Sequence, residues 1–82
     1  MRIKIERGGA ACVFKINYET SFSDLVFIVA SYFDCSPLGA LFVDDALRPY
    51  SPYSLVLVEL HERNSSQDVI KLLTRKEYSE LL

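Results

Sequence analysis

Few side chains in this 82-residue sequence could carry out catalysis. The single histidine, His61, is a possible general base, and Cys35 is a possible nucleophile for it. No third residue is placed to orient His61, and its neighbours Glu59, Glu62 and Arg63 are typical of a solvated position. We therefore expect no enzymatic activity and no catalytic residues.

Metal and cofactor sites are equally poorly represented. Two cysteines and one histidine do not assemble a zinc site by their spacing. Asp44 and Asp45 are adjacent carboxylates, which are usually solvated when they lie on a turn. Gly8 and Gly9 lie between two strand patterns and open no helix, so they do not form a phosphate-binding loop. The sequence predicts no metal, no cofactor and no small-molecule substrate.

Charge and hydropathy exclude two further classes of partner. The net charge of −2 argues against a dedicated nucleic-acid binder, for which a basic excess is typical. No run of 18 apolar residues would span a membrane, and the first 20 residues lack the apolar segment of a signal peptide. We expect an intracellular protein whose partners are other proteins, including a second copy of itself.

The first two elements form a predicted hairpin. Residues 1–6 alternate strictly, which predicts a half-buried strand with Met1, Ile3 and Ile5 inward. A glycine-containing turn leads to residues 12–17, which show the same alternation and form the second strand.

A helix follows the hairpin. Ser21 is a favourable N-cap, and Asp24 occupies the capping-box position three residues later. The helix should end near Asp34, before the Ser-Pro step that disfavours helical geometry. Its core face is predicted from apolar residues at helical spacing, which are Phe22, Leu25, Val26, Val29 and Phe33.

The second half of the chain is predicted to contain two further strand regions and a helical end. Residues 40–43 form a short third strand, and residues 46–48 form a very short fourth. Residues 54–62 give the longest apolar run, which indicates a central strand with both faces covered. Residues 66–82 are predicted as one or two short helices, with a second capping box starting at Thr74.

This element order resembles that of ubiquitin-like domains. The opening hairpin of those domains is similar to MRIKIE and CVFKIN, and their helix is similar to SFSDLVFIVASYF. Their next strand, which a buried leucine follows, is similar to ALFVDDAL, where that leucine is Leu47. Their last strand is similar to SLVLVEL. The resemblance implies an α+β protein with a ubiquitin-like β-grasp of pattern ββαβ(β)β. The domain should occupy residues 1–63, and residues 64–82 should be a short C-terminal helical extension that packs on the domain or leaves it.

A narrower resemblance concerns coilin. DLVFIVASYFDCS, ALFVDDALRP and SLVLVELHER are similar to the N-terminal domain of that family, with Tyr50 in place of the second proline of its L-x-P-P turn. The resemblance implies a self-associating scaffold domain located in the nucleus.

Apolar residues outnumber the positions that one helix can cover on a sheet. We expect an exposed patch on the open face of the sheet, and such patches mark interaction sites. The alternative is that the C-terminal helix folds back over this face. Two further apolar residues, Phe27 and Ile28, lie off the core stripe of the helix and are a second candidate contact. The predicted sheet patch consists of Leu41, Val43, Val56 and Val58.

Charged residues provide a third candidate. Arg2, Lys4 and Lys15 should project from the outer face of the hairpin, with Asp44 and Asp45 on a turn at the other end of the sheet. Opposite charges at opposite ends permit head-to-tail association. Phox-and-Bem domains polymerise in this way, although their fuller acidic motif is absent here.

The sequence thus predicts a protein–protein interaction module that mediates self-association, as an oligomerising scaffold domain. The alternative is an adaptor that docks a single partner protein, such as a ubiquitin-pathway component or a small GTPase.

Overall fold

A computed structural model describes residues 1–63 and 69–82. Within these ranges no helix combines the length and the apolar composition needed to cross a membrane. The elements, in chain order, are β1 (Arg2–Arg7), β2 (Ala10–Lys15), α1 (Phe22–Tyr32), a 3-10 turn (Pro37–Gly39), β3 (Ala40–Val43), α2 (Val56–Glu62), β4 (Val69–Thr74) and α3 (Arg75–Leu81).

The strands form one mixed sheet in the order β2-β1-β4-β3. β4 runs parallel to β1, with Ile5 opposite Ile70, and antiparallel to β3, with Phe42 opposite Leu72. Side chains from α1, α2 and one face of the sheet meet in a single core. Its buried members are Ile3, Ile5, Ile16, Phe22, Leu25, Val29, Phe42, Tyr50, Val56, Leu60, Ile70 and Leu72.

Local signals place the hairpin and α1 where the sequence predicts them. Gly8 adopts a φ of 58° in the turn between β1 and β2, a conformation that costs glycine little. The Ser21 side chain accepts a hydrogen bond from the Asp24 backbone N–H, and Asp24 accepts one from the Ser21 N–H, which completes the capping box. The predicted third strand, Ala40–Val43, is also present.

The predicted central strand over residues 54–62 is wrong, because Val56–Glu62 form a helix. The buried residues are Val56 and Leu60, four positions apart, which is a helical spacing. The start of the helix is fixed by a long-range hydrogen bond of 3.0 Å from the Val56 N–H to the Thr20 carbonyl. A run that is apolar on both parities fits either element, and only the burial of one side of it, Val56 and Leu60, agrees with the helix.

The prediction that residues 66–82 are entirely helical is also wrong. Val69–Thr74 form β4, in which Ile70 and Leu72 reach the core at a period of two. The predicted boundary at residue 63 therefore lies ahead of a strand of the same sheet. The helix predicted after Thr74 is present as α3, and its capping box with Glu77 is formed. The start of the predicted helical segment, at residues 66–68, lies outside the described residues.

Three smaller predictions differ from the structure. Residues 46–48 form no strand, because the chain turns there and Leu47 has a φ of 63°. Leu47 is half-buried rather than a core residue, and the isolated bridge opposite Val43 is made by Pro49. Met1 is exposed and lies one residue ahead of β1, which begins at Arg2.

Arg63 joins the end of α2 to the loop after β3. Its Nη1 lies 3.0 Å from Asp44 Oδ2, and its Nη2 donates to the Pro49 carbonyl at 2.8 Å. The guanidinium carbon lies 3.9 Å from the centre of the Tyr50 ring, within the range of a cation–π contact. One side chain thus holds the loop by an ion pair, backbone hydrogen bonds and stacking.

The carboxylate of Asp44 accepts several of the hydrogen bonds that hold this loop in place. Burial by itself would raise its pKa, but hydrogen bonds from the backbone N–H groups of Arg48 and Ala46 and from the Arg63 side chain outweigh that effect. The pKa of Asp44 therefore lies below its ordinary value of 3.8. A lowered pKa means that the folded state favours the ionised form, so Asp44 stabilises the fold above that ordinary value.

Replacing Leu25 by Ala should lower the free energy of unfolding by about 2–5 kcal/mol, because the side chain is fully buried and the change leaves a cavity. Ile28→Ala is the matched control on the exposed side of the same helix and should cost about 0.5 kcal/mol or less. Urea denaturation of both variants measures the difference. Equal losses would place Leu25 outside the core.

Asp44→Asn should weaken the fold at neutral pH by about 1.5–3 kcal/mol, since the carboxylate accepts charge-assisted hydrogen bonds. The stabilisation that Asp44 gives the parent protein is lost as pH falls through its lowered pKa. The difference between parent and variant should therefore shrink when unfolding is measured below pH 3.8. Glu77, whose pKa is also lowered, leaves an acid dependence in both proteins. A difference that is constant with pH would contradict this role for Asp44.

Candidate protein-interaction surface

The predicted patch on the open face of the sheet is not formed as a unit. Val43 and Val56 are fully buried, so the expectation that they are exposed is wrong. Val56 belongs to a helix that points it into the core. Leu41 is half-buried and Val58 is exposed, but they lie on different elements, β3 and α2.

Three large exposed apolar residues lie on the outward side of α1. Phe27 and Ile28 are exposed, as their position off the core stripe predicts, and Tyr32 is exposed one turn later. The Tyr32 ring packs edge-on against Phe14 of β2, with 5.5 Å between ring centroids. We call Phe27, Ile28 and Tyr32 the α1 outer face.

The charged residues proposed for head-to-tail association have different environments. Arg2, Lys4 and Lys15 are exposed, and Arg2 lies opposite Lys15 in the hairpin register. Asp45 is exposed as well. Asp44 is buried, and its carboxylate is already bound by Arg48 and Arg63. Of the two carboxylates proposed for the acidic side of a head-to-tail contact, Asp44 is therefore already paired within the molecule.

A groove of about 550 Å³ lies beside the α1 outer face and was not expected from the sequence. Phe27 and Leu38 border it, and Leu38 is 87% exposed. We call this cavity the α1–α3 groove, because side chains of both helices line it. Its principal apolar and aromatic lining residues are Phe22, Val26, Phe27, Leu38, Leu41 and Tyr78.

Two polar groups stand out in this groove. Arg75, at the start of α3, is the one charged residue of its lining in the described part of the chain. Tyr50 also lines the groove, and its ring stacks on Phe22 with 4.5 Å between centroids. Its hydroxyl is buried and has no hydrogen-bond partner among residues 1–63 and 69–82. Burial also raises the pKa of Tyr50, and the charge of Arg63 opposes that shift.

The groove depends on the position of α3. Glu77 Oε1 accepts a hydrogen bond from the Thr74 backbone N–H at 2.8 Å and pairs with Arg7 Nη1 at 2.6 Å. The Thr74 N–H and the Arg7 guanidinium lower the pKa of Glu77. The capping box was visible in the sequence, but the ion pair with β1 was not, because residues 7 and 77 meet only once β4 pairs with β1.

The residues considered for chemistry lie on separate elements. His61 is exposed on α2, while Cys12 and Cys35 are both half-buried free thiols on β2 and after α1. Across the described ranges no three His, Cys, Asp or Glu side chains are grouped so that they could hold a metal ion.

Comparison with known proteins gives similarity at the level of structure. No family model matches the chain, and no curated protein matches it. The solved structures that resemble it include a computationally designed protein based on the template of human erythrocytic ubiquitin, with 17% identity, 89% of each chain covered and a TM-score of 0.67. The ubl5 domain from the polyubiquitin locus of T. thermophila has 10% identity and a TM-score of 0.73 over 92% of this chain and 93% of that one.

A third similar structure is a chain in the pParkin-pUb-UbcH7 complex, with 15% identity and a TM-score of 0.71 over 92% of this chain and 23% of that chain. These neighbours share the mixed four-stranded sheet and its helices, which confirms the predicted fold class. The chain has a ubiquitin-like β-grasp fold.

Proposed function

We propose that this chain is a non-catalytic protein-interaction module that binds a second copy of itself through the α1 outer face. The observation that carries the proposal is the exposure of Phe27, Ile28 and Tyr32, at 61%, 57% and 61%, on one side of a single helix. Contiguous exposed apolar residues of this size mark interaction surfaces.

Charge favours a second copy as the occupant. In a two-fold interface each face meets itself, so a charged centre would place like charges together. Asp24, in the first turn, is the sole charged residue of α1, and none lies between Phe27 and Tyr32. The small face supports a modest interface, at or below about 1,200 Å² of total buried area, and therefore a weak one.

Docking of a single different partner is the second candidate function. It is supported by the structural neighbour that belongs to a complex of several proteins, the pParkin-pUb-UbcH7 complex. An adaptor of this kind could use the same α1 outer face. A nuclear scaffold role, which the coilin resemblance implies, stays a prediction.

Ile28→Glu should weaken self-association at least about tenfold, because it places a carboxylate opposite its symmetry mate at the centre of the apolar face. Ile28 does not line the α1–α3 groove, so the change leaves that cavity intact. Val13→Glu is the matched control, since Val13 is 56% exposed but lies on β2 at the outer face of the sheet. Sedimentation velocity over a concentration series from micromolar to millimolar measures both variants.

The parent protein should show a mass that rises with concentration, Val13→Glu should match it, and Ile28→Glu should stay monomeric. A parent protein that is monomeric throughout would exclude self-association and leave the adaptor function. Weakening by Val13→Glu alone would move the interface to the sheet.

A further inference from the structure

The α1–α3 groove combines apolar walls with one positive charge. Phe27, Leu41 and Tyr78 contribute side chains from three separate elements, and Arg75 lies on α3 at the same cavity. No acidic residue lines the groove within residues 1–63 and 69–82. An occupant that complements this lining has a large apolar group next to an anionic one.

Arg75 is available for such an anion. It is exposed, and it makes no ion pair or side-chain hydrogen bond with any part of the chain that the structure describes. Arginine in this state is well suited to a carboxylate, which its planar guanidinium can bind by two parallel hydrogen bonds.

Tyr50, which also lines the groove, carries a buried polar group that the protein leaves without a partner. The side chain is 5% exposed and its hydroxyl has no partner in the described residues, whereas buried polar groups are normally hydrogen-bonded. An unpaired buried hydroxyl destabilises the free protein. The hydroxyl is enclosed in the free protein, so a ligand's carbonyl oxygen would accept its hydrogen bond only after Tyr50 or a neighbouring side chain of the groove shifts.

We infer that the α1–α3 groove binds a short segment of a partner protein that carries a large apolar side chain beside a carboxylate. The carboxylate pairs with Arg75, the apolar side chain lies between Phe27 and Leu41, and a backbone carbonyl accepts from the Tyr50 hydroxyl. A protein segment is the occupant because the groove is continuous, through Phe27, with the α1 outer face. The inference rests on the proposed function as an interaction module, but not on self-association.

Two small peptide-like probes test the required chemistry. N-acetyl-L-phenylalanine has the aromatic side chain, a carbonyl and a carboxylate, and N-acetyl-L-phenylalaninamide is its neutral counterpart. Titration of the isotope-labelled protein with each probe is followed by ¹H–¹⁵N NMR at low ionic strength. We expect the backbone amide signals of Leu41 and Tyr78 to shift, and the acid to bind at least fivefold more tightly than the amide.

Arg75→Gln should remove the preference for the acid, so that the two probes bind equally. Lys76→Gln is the matched control, because Lys76 is an exposed cation on the same helix that does not line the groove. It should keep the preference. Preference for the acid that survives in Arg75→Gln, or shifts that fall outside the groove lining, would overturn the inference.

Tyr50→Phe tests the hydroxyl separately, since the ring remains to stack on Phe22. Its Tm should equal or exceed that of the parent, because an unpaired buried hydroxyl is removed, while its affinity for both probes falls. Unchanged affinity would overturn the assignment of the hydroxyl to the ligand. Ile28→Glu should leave the affinity for both probes unchanged. Loss of self-association can therefore be distinguished from loss of ligand binding in the groove.

Discussion

The insertion of β4 between β1 and β3 is the constraint on which the rest of the molecule depends. Ile70 and Leu72 are fully buried at the centre of the core, and their strand is hydrogen-bonded on both sides. Without β4, the N-terminal hairpin and β3 would not belong to one sheet, and α1 would have no continuous sheet face to cover. β4 also carries α3 to the end of the sheet at which β3 begins, where Arg75 and Tyr78 complete the α1–α3 groove.

Sequence patterns predicted the elements that local interactions determine. The hairpin, α1 and β3 depend on alternation, a turn glycine and a capping box, all of which lie within a few residues of one another. The assignments of Val56–Glu62 and Val69–Thr74 were exchanged, helix for strand. Each run is apolar enough to fit either period, and for β4 the pairing with β1, far away in the sequence, selects the strand.

The same distinction between local and long-range interactions applies to the candidate surfaces. Exposure of Phe27 and Ile28 followed from helical periodicity, because α1 was placed correctly. Val56 is buried because it lies on α2 and not on a strand, whereas Val43 lies on the predicted strand β3 and is buried nonetheless. The α1–α3 groove could not be predicted, because its walls come from parts of the chain that only the complete sheet brings together.

The pairing of Ile5 with Ile70 also determines when the protein can fold during its synthesis. Ribosomes add about 5–20 residues per second, so roughly 3–13 s separate the translation of these two positions. Throughout that interval the nascent hairpin displays the apolar side chains of Ile3 and Ile5 with no β4 beside them. Until β4 has been synthesised and has left the exit tunnel, the growing chain therefore carries an apolar surface that its own sheet does not yet cover.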